Sequence, residues 1–258
     1  MKKSLLYGLL LVSVLLAGQT AQTKKAPPTR PEDDDRWGPI SDYQSATSIP
    51  TDAQGRYVRM KRASRYDVDT QNMPQDQIKG LELGESNPSR ISLPVNGGRF
   101  EKAIPAADSS DIVVGTVKTA AAKFSSQKNV IYSEFQFSVE QTLKGDLVTE
   151  QQIDTERFGG RVRLPSGKIV FGGVSGHLMP QIGKRYLLFL KKDSDTQDFT
   201  ILTGYQLENE KVSPLDGNEP GHSLSQFVTY RDANETSFLD KVREEILHPT
   251  PRPYVGGR

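Results

Sequence analysis

The 258-residue chain contains no cysteine. That excludes disulfides, thiol catalysis, cysteine-ligated zinc and iron–sulfur clusters. Histidine is nearly as scarce, with three copies. Zinc needs three or four close ligands, and no H-x-x-x-H or H-E-x-x-H spacing occurs, so no metal is expected. His177 and His222 could meet in space, but two imidazoles alone fall short of a site. Glycine-rich phosphate cradles of the GxxxxGK[ST] or GxGxxG type are absent too, and no cofactor is expected. Charge of one sign is also missing: 33 basic residues face 32 acidic ones, for a net charge of +1. A nucleic-acid partner would need a basic surplus, so none is expected. Hydrophobic residues make up 35%, a low share for a wholly packed chain, so part of the length is expected to lie outside any core.

One long apolar run is present, and it lies at the start. Lys2 and Lys3 precede the 13-residue stretch Leu5–Ala17, and small and polar residues follow. This is the pattern of a secretory signal peptide over residues 1–21, with cleavage between Gly18 and Thr23, and it is too short for a comfortable membrane span. The expectation is an exported protein, periplasmic or extracellular. It would not be a lipoprotein, since no cysteine can take the lipid, and no later stretch spans a membrane in the mature form. Without covalent staples, such a domain must be held by apolar burial.

Residues 22–100 read as a low-order, largely disordered polar arm. Pro50, Pro74, Pro88 and Pro94 interrupt it, and at most a short strand is expected near Ile91–Val95. Within it, Arg56–Tyr66 (RYVRMKRASRY) carries five basic residues among two tyrosines. Such a segment suits an anionic surface, though a solvated linker explains it more simply.

From about residue 101 the pattern changes. Asp111–Val117 is a β-branched run with a bend at Gly115. In Val130–Gly145, Ile131, Phe135, Phe137, Val139 and Leu143 share one parity. Tyr132, Glu134, Gln136, Ser138, Glu140 and Thr142 share the other, giving a strand with one dry and one wet face. Pro165-Ser166-Gly167 marks a hairpin tip between Arg161–Leu164 and Lys168–Phe171. Arg185–Leu190 is apolar on both parities, as in a strand covered on both sides. Phe199–Leu207 returns from the DSDTQD loop, and Lys211-Val212 extends the sheet. Glu235–Leu247 places Phe238, Val242 and Ile246 four apart, the spacing of a helix, which His248-Pro249 ends. The fold is therefore expected to be mainly β: a small antiparallel OB-like barrel over 101–248 with a C-terminal α-helix, and a flexible tail at 249–258.

Several segments in this order carry a resemblance: SDIVVGTV, SEFQFSVEQTLKG, ERFGGRVRLPSG, MPQIGKRYLLFL, FTILTGYQL, KVSPLDG and FLDKVREEI. Over Asp108–Leu247 they resemble a family of uncharacterised exported proteins from environmental bacteria. That resemblance implies export and fold more than activity. More distantly, the barrel is similar to tissue-inhibitor and netrin-type modules. Those use an amino-terminal cysteine and disulfides, which this chain lacks, so that resemblance implies the fold alone.

Candidate chemistry is thin. Ser175, His177 and Asp216 could form a hydrolytic triad, but GGVSG is not a G-x-S-x-G elbow and no helix follows it. Asp193, Asp195 and Asp198 could hold Ca²⁺, yet their spacing is not that of an EF-hand, and a solvated turn accounts for them. The ligand-binding candidates are Arg161, Arg163, Lys168, Phe171 and His177, around the glycine-rich turns where an OB-like barrel borders its groove. Turn and bulge geometry is the simpler reason for those glycines. The expected function is a non-enzymatic binding or interaction module with an envelope protein or an anionic glycan as partner. An exported hydrolase and an envelope peptidase inhibitor are the alternatives.

Overall fold

The computed structural model of the protein describes residues 35–67, 102–173, 176–217 and 226–250. After a 3₁₀ turn at Asp35–Trp37 come β1 (Ile40–Asp42), α1 (Tyr43–Thr47) and α2 (Ala53–Arg65). Then follow β2 (Asp111–Phe124), β3 (Ile131–Lys144), β4 (Gln152–Phe158), β5 (Gly160–Arg163), β6 (Ile169–Gly172), β7 (Arg185–Lys192), β8 (Phe199–Glu208) and β9 (Lys211–Pro214). A 3₁₀ turn at Gln226–Tyr230 leads to α3 (Glu235–Leu247).

Six strands form one sheet in the order β4-β3-β2-β7-β8-β9. All neighbours along it are antiparallel. The sheet curls until β4 meets β8 in a short parallel contact, Thr155 with Phe199 and Glu156 with Thr200, so five strands make a partly closed ring. This is the small OB-like barrel the sequence leads one to expect. A second sheet, β1-β5-β6, packs beside it, with the hairpin turning at Pro165–Gly167 as expected.

Three apolar clusters are buried among the described residues: one joins Ala46, Phe124, Ile131, Val162 and Val170 under the second sheet, and alternation along the strands of the large sheet builds the other two. Val117, Phe135, Phe137, Tyr186, Leu188 and Leu190 belong to one cluster, within the ring. Ile112, Val114, Leu187 and Phe189 face the other way, into a cluster shared with Phe238, Leu239 and Val242 of α3. β7 contributes alternate residues to both, which is why its apolar run has no wet parity. Phe135 is 2% exposed, and Phe137 and Leu188 are 0% exposed, so apolar burial is extensive without a disulfide. Asn234 caps α3 by accepting from Ser237 N at 3.2 Å. At the tail, Thr250 N donates to Glu245 Oε1 at 2.7 Å, and the residues after it lie outside the described ones.

Two expectations change. Residues 35–67, inside the expected low-order arm, carry two helices and a strand. The Ile91–Val95 strand lies outside the described residues. The wet face of β3 is not wet throughout either. Tyr132 is 0% exposed because α2 covers it: Tyr66 stacks on its ring at 4.7 Å and 14°.

Candidate functional site

Helix α2 has an unusual orientation for a surface helix. Ala63 is its one buried residue, while Tyr57 and Met60 face solvent at 43% and 62% exposure. Its inward side is basic. Arg56, Arg59, Arg62 and Arg65 recur every third position. A row of that spacing slants across the helix surface, so Arg59, Arg62 and Arg65 meet different parts of the barrel, while exposed Arg56 donates to the Thr51 carbonyl at the start of the helix. Asp52 starts the helix by accepting from Gly55 N at 2.7 Å.

Arg59 Nη1 donates to Tyr132 Oη at 2.6 Å and Nη2 to the Phe124 carbonyl at 2.9 Å, with the guanidinium 5.4 Å from the Tyr132 ring centroid. Arg62 lies 3.5 Å from Glu134 and 3.2 Å from Asp154, and its Nε donates to Asp198. Arg65 reaches Glu156 at 2.5 Å, Asp193 at 3.1 Å and Asp198 at 3.2 Å. On the outer side, Lys61 pairs with Asp195 at 3.1 Å. The acids come from β3, β4 and the 193–198 loop. Alternation turns Glu134, Asp154 and Glu156 outward from the ring, so they gather on one face.

Burial gives these charges their character. Glu156 and Asp198 have side chains 1% and 2% exposed. Burial raises Glu156 from the ordinary 4.5 to about 7, although Arg65 pulls it down. Burial works against the Arg62 charge, but Glu134 and Asp198 outweigh it and hold the guanidinium above its ordinary value. Burial, with the negative Glu156 nearby, also raises Tyr66 well above the usual tyrosine value. One oxygen of Glu156, Oε2, is buried with no hydrogen-bond partner, as is Arg59 Nε. A cleft of about 450 Å³ opens beside the seam, lined by Ile49, Val58, Arg59, Lys123, Glu134 and Asp154.

The DSDTQD loop is thus not merely a solvated turn. Asp193 Oδ1 accepts from the backbone N–H of Asp195 and Thr196, and Asp198 is buried against two arginines. Among the described residues, no group of three or more His, Cys, Asp or Glu is arranged to hold a metal ion.

The predicted ligand residues disperse. Arg161 is 2% exposed, and its Nε and Nη2 donate to the Gly38 carbonyl at 3.0 and 2.6 Å. β1 runs parallel to β5 and covers it, so Arg161 joins the two segments and does not line a groove. Arg163 and Lys168 are exposed on the β5–β6 hairpin, Arg163 lying 3.4 Å from Asp42. Phe171 meets Trp37 edge to face at 5.6 Å. His177 Nδ1 sits 3.6 Å from Asp216 Oδ1. Asp216 is 1% exposed, takes a hydrogen bond from Thr203 Oγ1 at 2.5 Å and pairs with Arg157 Nη2. Ser175 and His222 lie outside the described residues.

Sequence reasoning missed the seam. The usual helix signal is an apolar stripe, and here the stripe is arginine. The readable clues were the threefold arginine spacing, Asp52 as a cap and an uninterrupted run of 15 residues without proline from Asp52 to Tyr66.

In comparisons with known proteins, no family model matches the sequence and no curated protein is significantly similar to it.

Proposed function

We propose that the chain is an exported, non-enzymatic interaction module whose cysteine-free barrel recognises a protein partner through a charged outer face. One observation carries this reading. The densest set of ionisable groups among the described residues, Glu134, Asp154, Glu156, Asp193 and Asp198 against Arg62 and Arg65, is used to hold a helix. Recognition of a polypeptide segment is thus the work this face performs within the chain. Export rests on the leader at Leu5–Ala17, with which the resemblance to exported bacterial proteins agrees.

The basic stretch of the arm is weak support for an anionic glycan. Arg59, Arg62 and Arg65 are turned inward onto Tyr132 and the carboxylates, not displayed. The partner is accordingly assigned as an envelope protein.

The test is site-specific photo-crosslinking in intact cells, with the probe at Lys168, at Arg163 or on the exposed side of α2 at Ser64. A discrete protein adduct at one of these positions supports the module. Absence of any adduct at all three, with the protein present and folded, contradicts it.

The 3.6 Å approach of His177 to Asp216 favours a second reading, an exported hydrolase. Asp216 is already engaged by Arg157 and Thr203, which suits a buried structural pair. Turnover of an ester or peptide panel that His177→Ala abolishes would favour the hydrolase.

A further inference from the structure

Helix α2 leaves part of the outer β2–β3 face open along its edge. The cleft of about 450 Å³ there adjoins a second hollow of about 240 Å³, and Arg62, Glu134 and Asp154 line both. We propose that this cleft binds a short peptide, two or three residues long, held by its free carboxyl end and its free amino end. This goes beyond recognition of an envelope protein, because the ligand is small and brings no folded surface.

One end of the cleft is cationic and has no acid of its own. Arg59 donates to Tyr132 Oη and to the carbonyls of Ala46 and Phe124. Lys123 Nζ donates to the Ser45 carbonyl at 2.8 Å and to Ser48 Oγ at 3.2 Å. Among the described residues neither cation is paired with a carboxylate, and Arg59 Nε is buried without an acceptor. Burial lowers the Lys123 ammonium from its ordinary value; Glu134 raises it and Arg59 lowers it again. A peptide carboxylate arriving here would face two positive charges that now meet only neutral oxygens, and charge-assisted hydrogen bonds are the stronger kind.

The other end is acidic and half open. Arg62 meets Oδ2 of Asp154 at 3.2 Å and Oε1 of Glu134 at 3.5 Å, and Tyr132 Oη donates to the same Oε1 at 3.2 Å. Oδ1 of Asp154 and Oε2 of Glu134 take no hydrogen bond among the described residues, and the Asp154 side chain is 57% exposed. Those two oxygens suit an ammonium. Between the ends, Ile49, Pro50 and Val58 supply an apolar wall for a side chain, with Ile49 61% exposed.

Spacing sets the length of the ligand. Lys123 lies opposite Tyr132, and Asp154 lies opposite Gln136. Four residues of β3 separate these rows, about 13 Å along the strand. An extended tripeptide spans about 10 Å, and the lysine stem with a hydrogen bond at each end covers the remainder. A single amino acid carries both charges on one carbon and cannot reach both ends. The combined hollow is of the size that small-ligand sites have.

The test is titration calorimetry of the full-length mature chain with the unlabelled tripeptide alanyl-leucyl-alanine. The ends carry the recognition, so one sequence suffices. Converting the carboxyl end to an amide, or acetylating the amino end, should each weaken binding at least tenfold. Free alanine and acetate should bind at least tenfold more weakly than the tripeptide. Lys123→Met should narrow the gap between acid and amide forms at least threefold. Asp154→Asn should narrow the gap between free and acetylated forms by as much, a pairing that a general loss of fold would not produce. Amide shifts across residues 119–123 on adding peptide should mark the site. Neither heat nor amide shifts at millimolar tripeptide would overturn the proposal. So would equal affinity for capped and uncapped peptides, or gaps unchanged in both variants. Acetate binding as well as the tripeptide would reduce the cleft to an anion site, and alanine binding as well would assign it to amino acids; either result refutes a peptide. If Lys123→Met does not fold, the capped series on the wild-type chain decides alone. Failure of the peptide leaves the crosslinking result at Lys168 and Arg163 intact, so the module reading is judged separately.

Discussion

Arg65 Nη1 lies 2.5 Å from Oε1 of Glu156, whose side chain is 1% exposed, and this contact pins the last turn of α2 to strand β4. Arg65→Ala removes the nearest cation from a buried carboxylate. Glu156 can take up a proton instead of staying charged, so the expected loss in docking is about 2 kcal/mol and not the larger cost of a stranded charge. Tryptic cleavage after Arg62 follows the undocked population and should quicken about thirtyfold, 1.4 kcal/mol being a factor of ten. An unchanged cleavage rate would mean that Arg65 contributes nothing to docking.

Glu156 also sets a pH dependence. Its value is about 7 when α2 is docked and near the ordinary 4.5 when the carboxyl is released to water. Because the docked value is the higher one, its contribution is fully present below about 4.5 and is lost as pH rises through about 7. Across that window the contribution falls by an amount on the order of 3 kcal/mol. Carboxyl NMR should show Glu156 titrating near neutrality, and Glu156→Gln should flatten the docking profile between pH 5 and pH 8. A midpoint near 4.5 in the intact chain would remove the effect.

The barrel interior makes a separate demand. Leu188 is 0% exposed within the ring core. Leu188→Ala should cost about 2–5 kcal/mol in urea unfolding, the loss expected for a buried leucine that leaves a cavity. Exposed Val148, at 64%, serves as the control, and Val148→Ala should change stability by less than about 0.5 kcal/mol.

Gly115 sits where β2 shifts register against β3. A Cβ there would come within 2.1 Å of the Ser138 carbonyl and 2.6 Å of the Phe137 ring. Gly115→Ala should therefore disrupt the longest strand pair of the barrel and lower the urea midpoint. Retention of the wild-type midpoint would show that β2 can move aside at little cost.

The barrel was legible because its signals are local and apolar. Period-two burial in β3, a run covered on both parities in β7 and fourfold spacing in α3 follow from the side chains of single segments. The β8–β9 turn reads likewise, with Asn209 and Glu210 at φ 53° and 59° between the strands. Helix α2 was illegible for the opposite reason. Its inward residues are arginines, and their acids lie 72 to 136 positions away in sequence, from the Arg62–Glu134 pair to the Arg62–Asp198 pair. No periodicity in residues 53–65 announces acids on β3, β4 and a distant loop. Arg161 misled for a related reason. Alternation in β5 said nothing of β1 arriving in parallel to cover it.

Ion pairs to Glu134, Asp154, Glu156, Asp193 and Asp198, with the stacking of Tyr66 on Tyr132, hold α2 to the barrel, while the barrel holds itself by apolar burial. Amide hydrogen exchange at two ionic strengths tests this most directly. Raising the salt should speed exchange across residues 53–65 at least tenfold and leave Tyr186–Leu190 of β7 unchanged. If both segments exchange together at either salt, α2 is an inseparable part of the barrel and the claim is wrong.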